Sequence, residues 1–458
     1  MAFIRKIKKG DATYLAEVES YREDGKVKQR VLRYVGKEVQ GQAVKRVASS
    51  SIEVSHVKQY LDYKILHDIA THLGIPALLG ERMKHILLLV YTQLITRKSI
   101  YKLPEYVDHT ALSEILGFDK LIDKQLYQSL DALEELDFTS IEDAIFEKLS
   151  AERKEKNALI LDVTDTYFNG SRADWKARKG KDGKYDKLIQ ISLAVTKEEG
   201  FPILHKTYEG NIGNAKIFQD TLAEARLKKF DVIVLDRGMI SQEALADLRL
   251  LTQKVITGLR SNQKLQKDYL SKIEREEIFQ PKHSVKLKNT TVFVQSFPYN
   301  EGILIAIYNP ELEALKRTHA IAKPESYNHE TAKYMGYSMV YHTTSMSEAE
   351  VIKMYFEKDI VEKAYRELKS SIHLQPIRKY RISHIKAHVK ICYLAYAILS
   401  YINYKVKPKN ISATYALEQL QSVYKVSLTS EKEKLKWDKI VTLKNEQKKI
   451  LALLNCSV

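Results

Sequence analysis

The chain has 458 residues, 44% of them hydrophobic and 29% charged, a composition that supplies a large core and excludes a disordered or fibrous polypeptide. Its 74 Lys and Arg outnumber 58 Asp and Glu, a formal net charge of +16, and a surplus of that size predicts a polyanionic partner, nucleic acid first. Two cysteines, Cys392 and Cys456, make neither a disulfide framework nor a zinc cluster, and the start, MAFIRKIKKGDATYL, has no apolar stretch of signal-peptide length, so a reducing cytoplasm without export is expected.

Residues 12–36 predict a β-hairpin. The runs ATYLAEVESYRE and KVKQRVLRYVG flank Asp24-Gly25, a pair suited to the positive φ at both centres of a type I′ turn. On the second run Lys26, Lys28 and Arg30 alternate onto one face and Val27 and Val31 onto the other, which makes Lys28 and Arg30 candidate phosphate contacts; a solvated face would read the same way. From about residue 56 to 155 the apolar residues recur at three- and four-residue spacing, through HVKQYLDYKILHDIATHLG, RMKHILLLVYTQLITR, LYQSLDALEELDF and IEDAIFEKLSAERK. This predicts a helical region, whose basic residues and Gly/Pro breaks suit DNA-end binding without defining a helix-turn-helix.

The pattern changes at Asn157. NALILDVTDTYF reads as a buried strand that carries Asp162 and Asp165. After the loop RADWKARKGKDGKYD come two further strands, LIQISLAVT and FPILHKTYEG, turning at Glu199-Gly200, then a helix, AKIFQDTLAEARLKKF. DVIVLDRGMIS follows as a fourth buried strand ending in Asp236, with a helix, QEALADLRLL, and a short strand, KVITGL, after it. Three strands in a meander, then alternating helix and strand, is the order of an α/β, RNase H-like core. Residues 259–345 interrupt it as a mostly β insertion, with strands TTVFVQSF and GILIAIYN around Asn300-Glu301-Gly302. The apolar run Ile391–Tyr404, closed by Lys390 and Lys405, is too short to span a bilayer and predicts a core helix under the catalytic layer. The resulting partition is an N-terminal β-hairpin region (1–55), a helical DNA-binding domain (56–155), core (156–258), β-rich insertion (259–345), core with catalytic and packing helices (346–410) and an amphipathic helical tail (411–458).

YFEKDIVEKAYRELK, Tyr355–Lys369, predicts one helix on which Tyr355, Lys358, Glu362 and Lys369 fall within roughly 60° of one another at about 100° per residue. A carboxylate flanked by two lysines and a phenol suits a polyanion site, since the acid can hold a hard cation while the ammonium groups engage phosphates; a solvated face of charge pairs has the same spacing. Taken singly, Asp236 could cap the next helix or pair with Arg237, and Asp162 could bond a loop backbone. Two aspartates at neighbouring core strands with Glu362 on a later helix make a stronger case. Three carboxylates from separate segments can hold two Mg²⁺ ions about 3.5–4 Å apart, the two-metal arrangement for phosphoryl transfer. No P-loop, GxGxxG, paired-Cys zinc motif or serine nucleophile elbow competes.

The spacing Tyr355-x2-Lys358-x3-Glu362-x6-Lys369 resembles the Y-x(2)-R-x(3)-E-x(6)-K signature of bacterial insertion-sequence DDE transposases, with lysine in place of arginine. LDVT at 161–164, GNIGN at 210–214, DRGMIS at 236–241 and the residues after Lys369 are also similar to that group, in its order and with a β-rich insert at the same place. The resemblance implies Asp162, Asp236 and Glu362 as catalytic and metal-binding residues, with Mg²⁺ as cofactor and Mn²⁺ as substitute. It implies Tyr355, Lys358 and Lys369 as contacts to terminal phosphates, with Arg237 and Arg366 as further DNA contacts. The partners implied are double-stranded DNA, as inverted-repeat ends and as target, and a second copy in a homodimer bridging two ends. An RNase H-like nuclease without strand transfer and a non-catalytic DNA-binding regulator derived from a transposase are the alternatives.

Overall fold

The computed structural model describes all residues except 1, 11, 40–41, 45–50, 97, 154–157, 168–176, 180–184, 238–252, 260–263, 323–328, 376, 378, 380, 432–433 and 458. The QEALADLRLL helix and most of the RADWKARKGKDGKYD loop therefore lie outside the described residues. The chain forms two compact units, one of residues Met1–Tyr60 with Val423–Leu443, the other of Leu61–Ser422 with Lys444–Val458.

In the first unit, β1 (Ala2–Lys9), β2 (Ala12–Glu23), β3 (Lys26–Val39) and β4 (Gln42–Val44) make an antiparallel sheet in that order. The expected hairpin is β2–β3, and Asp24 and Gly25 take φ of 52° and 73°, as a type I′ turn requires. A second sheet joins β5 (Glu53–Gln59) to the hairpin of β16 (Tyr424–Ser430) and β17 (Leu435–Ile440). Two expectations are corrected here. The helical pattern does not begin at residue 56, and the tail is not wholly helical. YKVSLTS and LKWDKI alternate with a period of two, the pattern of a half-buried strand, and they supply β5 with a partner far along the chain.

In the second unit, the helices Leu61–His72, Met83–Ile95, Asp123–Glu135 and Phe138–Ala151 follow the predicted apolar spacing, and they belong to the same compact unit as the large sheet. That sheet has ten strands: β6 (Ala158–Tyr167), β7 (Ala177–Lys179), β8 (Tyr185–Thr196), β9 (Pro202–Glu209), β10 (Val232–Leu235), β11 (Lys254–Gly258), β12 (Ser284–Lys286), β13 (Thr291–Tyr299), β14 (Gly302–Tyr308) and β15 (Tyr337–His342). Its order is β12-β13-β14-β15-β11-β10-β6-β8-β7, with β9 also on β8. β6, β10 and β11 are parallel, while β8 and β9 run antiparallel in succession. The architecture is mixed α/β. The strands of the insertion continue the same sheet through β15 on β11, and the insertion also contributes the helix Pro310–Ala322.

One face of the sheet packs Leu159, Leu161 and Val163 with Ile233 and Leu235 into the main apolar cluster. Within GNIGN, a Cβ on Gly210 would lie 2.6 Å from the Leu188 carbonyl oxygen, so the close approach of the backbone to β8 admits glycine alone. The helix Ile382–Val406 is 25 residues long, longer than the apolar run by itself suggests. It is long and apolar enough to cross a membrane, yet 83% of its most apolar 18-residue window is buried inside the protein. It is the predicted core helix. Tyr396 on it donates to the Gly200 carbonyl at 2.8 Å, and a Cβ on Gly200, in the β8–β9 turn at φ +74°, would lie 3.2 Å from Ile360 Cγ1.

Candidate active site

Strand pairing alone brings Asp162 and Asp236 to the same region. β6 and β10 run parallel with Leu161 opposite Leu235; the next residue on each chain is the aspartate, and adjacent strands stand about 4.8 Å apart. β10 ends there, at the carboxyl edge where open α/β sheets bind ligands. Asp162 is half-buried and its Oδ1 accepts from the Val163 amide at 2.7 Å. Asp165, by the period of two, points to the opposite side of β6, with Leu161 and Val163, and is 5% exposed.

The unbroken helix expected over 355–369 is corrected. One helix, Glu348–Phe356, ends at Glu357; a second, Asp359–Arg366, starts after Lys358; and Glu367–Ser371 is a π-helical turn. The junction is closed by i→i−3 bonds from the Lys358 amide to Tyr355 and from the Val361 amide to Lys358. The break lets the first helix seat against β11 and the second against β6 and β8. Tyr355, Lys358, Glu362 and Lys369 are therefore spread along the strand ends instead of stacked on one straight stripe.

Tyr355 is buried over the end of β11, where a Cβ on Gly258 would collide with its phenol oxygen and lie 2.8 Å from Cζ. Burial first, with Glu362 adding, pushes the phenol up to about 12, against the opposing charge of Arg237. Lys358 pairs with Asp236 through a direct Nζ to Oδ1 hydrogen bond, the two side chains being 17% and 33% exposed. Its ammonium also stands 4.9 Å from the Tyr355 ring centroid. Burial draws the lysine below its ordinary value, opposed by the fields of Glu362 and Asp162. Glu362 is exposed, one turn on. Tyr365, buried, lies 2.7 Å from the Asp162 carbonyl and 3.0 Å from that of Ile191, clamping the second helix to β6 and β8. Lys369 donates to Thr164 Oγ1 at 2.6 Å and the Asp165 carbonyl at 3.0 Å. Thr164 shares the Asp162 face of β6, so the helix, Glu362 and Asp162 are on one side of the sheet.

The remaining candidates are placed differently. Arg237 is exposed next to Asp236, and Lys316, from the insertion helix Pro310–Ala322, feels its charge and is drawn down by burial and by that repulsion. Arg366 is exposed at the end of the second helix. Lys28 and Arg30, in the first unit, are paired across β2–β3: Lys28 with Glu23 at 2.7 Å, Arg30 with Glu19 at 3.1 and 2.7 Å, next to Arg33 with Glu17 at 2.6 Å. That strand face is charge-balanced by the neighbouring strand. Sequence reasoning missed Tyr365, Thr164, Gly258 and Lys316. Tyr365 was findable, because Val361, Ala364, Tyr365 and Leu368 form the buried side of the helix at three- and four-residue spacing.

Residues 153–398, more than half of the chain, match the family described as "Transposase DDE domain", and residues 4–55 match "IS1634 family transposase, N-terminal domain". The chain belongs to the insertion-sequence DDE transposases. Among solved structures, this transposase is similar to a piggyBac transposase synaptic complex with hairpin DNA, at 13% identity over 79% of this chain and 78% of that one, with a TM-score of 0.43. No curated protein matches it.

Divalent metals are general to the family. Asp162, Asp236 and Glu362 are hard oxygen donors, and the Lys358 ammonium is paired with Asp236. The three carboxylates suit such an ion in kind. Among the described residues, however, no three His, Cys, Asp or Glu side chains are already converged to hold one.

Proposed function

We propose that this transposase cleaves phosphodiester bonds at the inverted-repeat ends of its element and joins the freed 3′ ends to target DNA by transesterification, with Asp162, Asp236 and Glu362 as catalytic carboxylates. The observation that carries the reading is the in-register pair Leu161/Leu235, which sets the two aspartates on neighbouring strands beneath the helix bearing Glu362. An RNase H-like core is supported by the order β9-β8-β6-β10-β11, antiparallel through the first three and parallel through the last three.

The three carboxylates would hold Mg²⁺, with Mn²⁺ as substitute, and bound metal would activate the attacking oxygen and stabilise the leaving one. The chain's own groups hold this framework. Tyr365 and Lys369 tie the helix to β6, Tyr355 fills the space over Gly258, and Arg237 with Lys316 presents positive charge beside Asp236 for a phosphate. The partners are double-stranded DNA and a second copy, as a homodimer holding paired ends, in the cytoplasm.

The test is single replacement, Asp162→Asn, Asp236→Asn and Glu362→Gln, assayed for Mg²⁺-dependent nicking and for gel-shift binding on a duplex of the element's terminal repeat. Each is expected to abolish nicking and retain binding. Any variant that still nicks removes its residue from the site.

A further inference from the structure

We infer that Gln93 and His388 are positioning residues for the reaction: they hold the backbone just beyond the π-helical turn Glu367–Ser371, and the turn so held seats Lys369 on β6 beside Asp162. This rests on the reading of Asp162, Asp236 and Glu362 as catalytic. A π turn is closed by i→i+5 bonds, as from the Ile372 amide to the Glu367 carbonyl at 2.9 Å, so each residue turns through less than the about 100° of an α-helix. On a straight α-helix Lys369 would lie within about 20° of Glu362. The wider turn holds it back, and its ammonium instead meets Thr164 Oγ1 and the Asp165 carbonyl, just past Asp162 on the strand.

A helix ends with orphan carbonyls, and a buried chain must give them donors. Here Ile372, Leu374 and Ile377 are fully buried. The chain reverses at His373, whose φ is 55°, and the Leu374 amide returns to the Leu368 carbonyl at 2.8 Å. Gln93, on the helix Met83–Ile95, donates its side-chain amide to the Ile372 carbonyl and reaches that of His373 at 3.4 Å. His388, on the helix Ile382–Val406, hydrogen-bonds the backbone at Leu374 and His373. Burial, with the Lys379 charge adding, draws His388 down to about 4, so its ring carries one proton at neutral pH. Its Nε2 stands 3.6 Å from the Cys392 sulfur, a thiol that burial keeps protonated. With the thiol donating to Nε2, the ring proton is on Nδ1 and goes to the chain beyond the turn.

The test combines amide hydrogen exchange of the full chain with its single-turnover nicking and gel-shift affinity on a duplex of the terminal repeat. Gln93→Met, which keeps the length and loses the donor, and His388→Leu are each expected to speed exchange over residues 367–374. Each is expected to slow nicking roughly tenfold, the size of coupling within one hydrogen-bonded network, and to leave duplex affinity within about twofold. His388→Asn, which keeps a donor near the Nδ1 position, should recover most of the rate. Because both residues act through Lys369, adding Gln93→Met to Lys369→Met should slow nicking no further than Lys369→Met alone. Should Gln93→Met fail to fold, Gln93→Glu, which sets a carboxylate against the same carbonyls, carries the same expectations. Unchanged exchange or parental nicking in the Gln93 variant, no recovery in His388→Asn, or a double variant slowed by the product of the single losses overturns the proposal. Duplex affinity lost in step with the rate overturns it as well, because contacts that only support the fold would lower both. The carboxylate reading is judged apart: Glu362→Gln nicking like the parent removes it, whatever Gln93 does.

Discussion

Asp162 and Asp165 are three positions apart on β6, and the pleat sends them to opposite sides of the sheet. The Tyr365 and Lys369 contacts place the second helix on the Asp162 side, while Asp165 is buried on the other. The proposed chemistry therefore assigns Asp162 to the site and Asp165 to the structure beneath it. Asp165→Asn is expected to keep Mg²⁺-dependent nicking near the parent level, whereas Asp162→Asn loses it on the order of a hundredfold or more, as removal of a metal ligand should. Single-turnover nicking of both variants checks this, and equal losses would show a shared or reversed assignment. The motif LDVT favours Asp162, but the partner that decides the face, Lys369 on Thr164, is some 200 residues on, at a sequence separation of 205.

The element that sets the site is a broken helix and not a straight one. Its first half is positioned by Tyr355 against Gly258, a contact that no side chain at 258 would permit. Gly258→Ala is expected to cost about 1–3 kcal/mol, the usual penalty of overpacking, and to lower nicking more than DNA binding, because it moves the junction that carries Lys358 toward Glu362. Tyr355→Phe removes the closest atom, so the double variant should recover part of the lost stability in urea melts. A double variant no more stable than Gly258→Ala would mean that the phenol is not what fills that space. The helix itself was legible from its apolar spacing; the break was not, since Glu357 and Lys358 are ordinary helix formers. The break answers to two strands the helix must reach, β11 and β6.

At the scale of the molecule, the +16 charge predicts a polyanion, but the basic side of the hairpin is not where it is free. Arg30 faces Glu19 directly across the ladder and Lys28 reaches Glu23 on the diagonal, and opposite charges so placed across strands stabilise each other. Lys28→Ala with Arg30→Ala is expected to leave the salt dependence of duplex binding unchanged. Two phosphate contacts would instead reduce the slope by about 2. A plot of log K against log salt for the double variant distinguishes them. The carboxylates of Glu17, Glu19 and Glu23 alternate on ESYRE and its flanks, yet their effect depends on the register, which the two bulges in the β2–β3 ladder shift.

By itself the sequence determined the family, the α/β class, the hairpin with its Asp24-Gly25 turn, the strands carrying Asp162 and Asp236, and the buried helix after the signature. These rest on local periodicity, turn chemistry and motif spacing, which short stretches of chain carry whole. Tertiary structure decided what depends on distant partners: β5 joined to β16, the insertion strands continuing the core sheet, the break at Lys358 and the pairing of that lysine with Asp236, 122 residues earlier. The physical reason is the same in each case. Hydrogen-bond ladders and ion pairs are satisfied by whichever groups the fold brings within about 3 Å, and spacing along a chain does not report that distance.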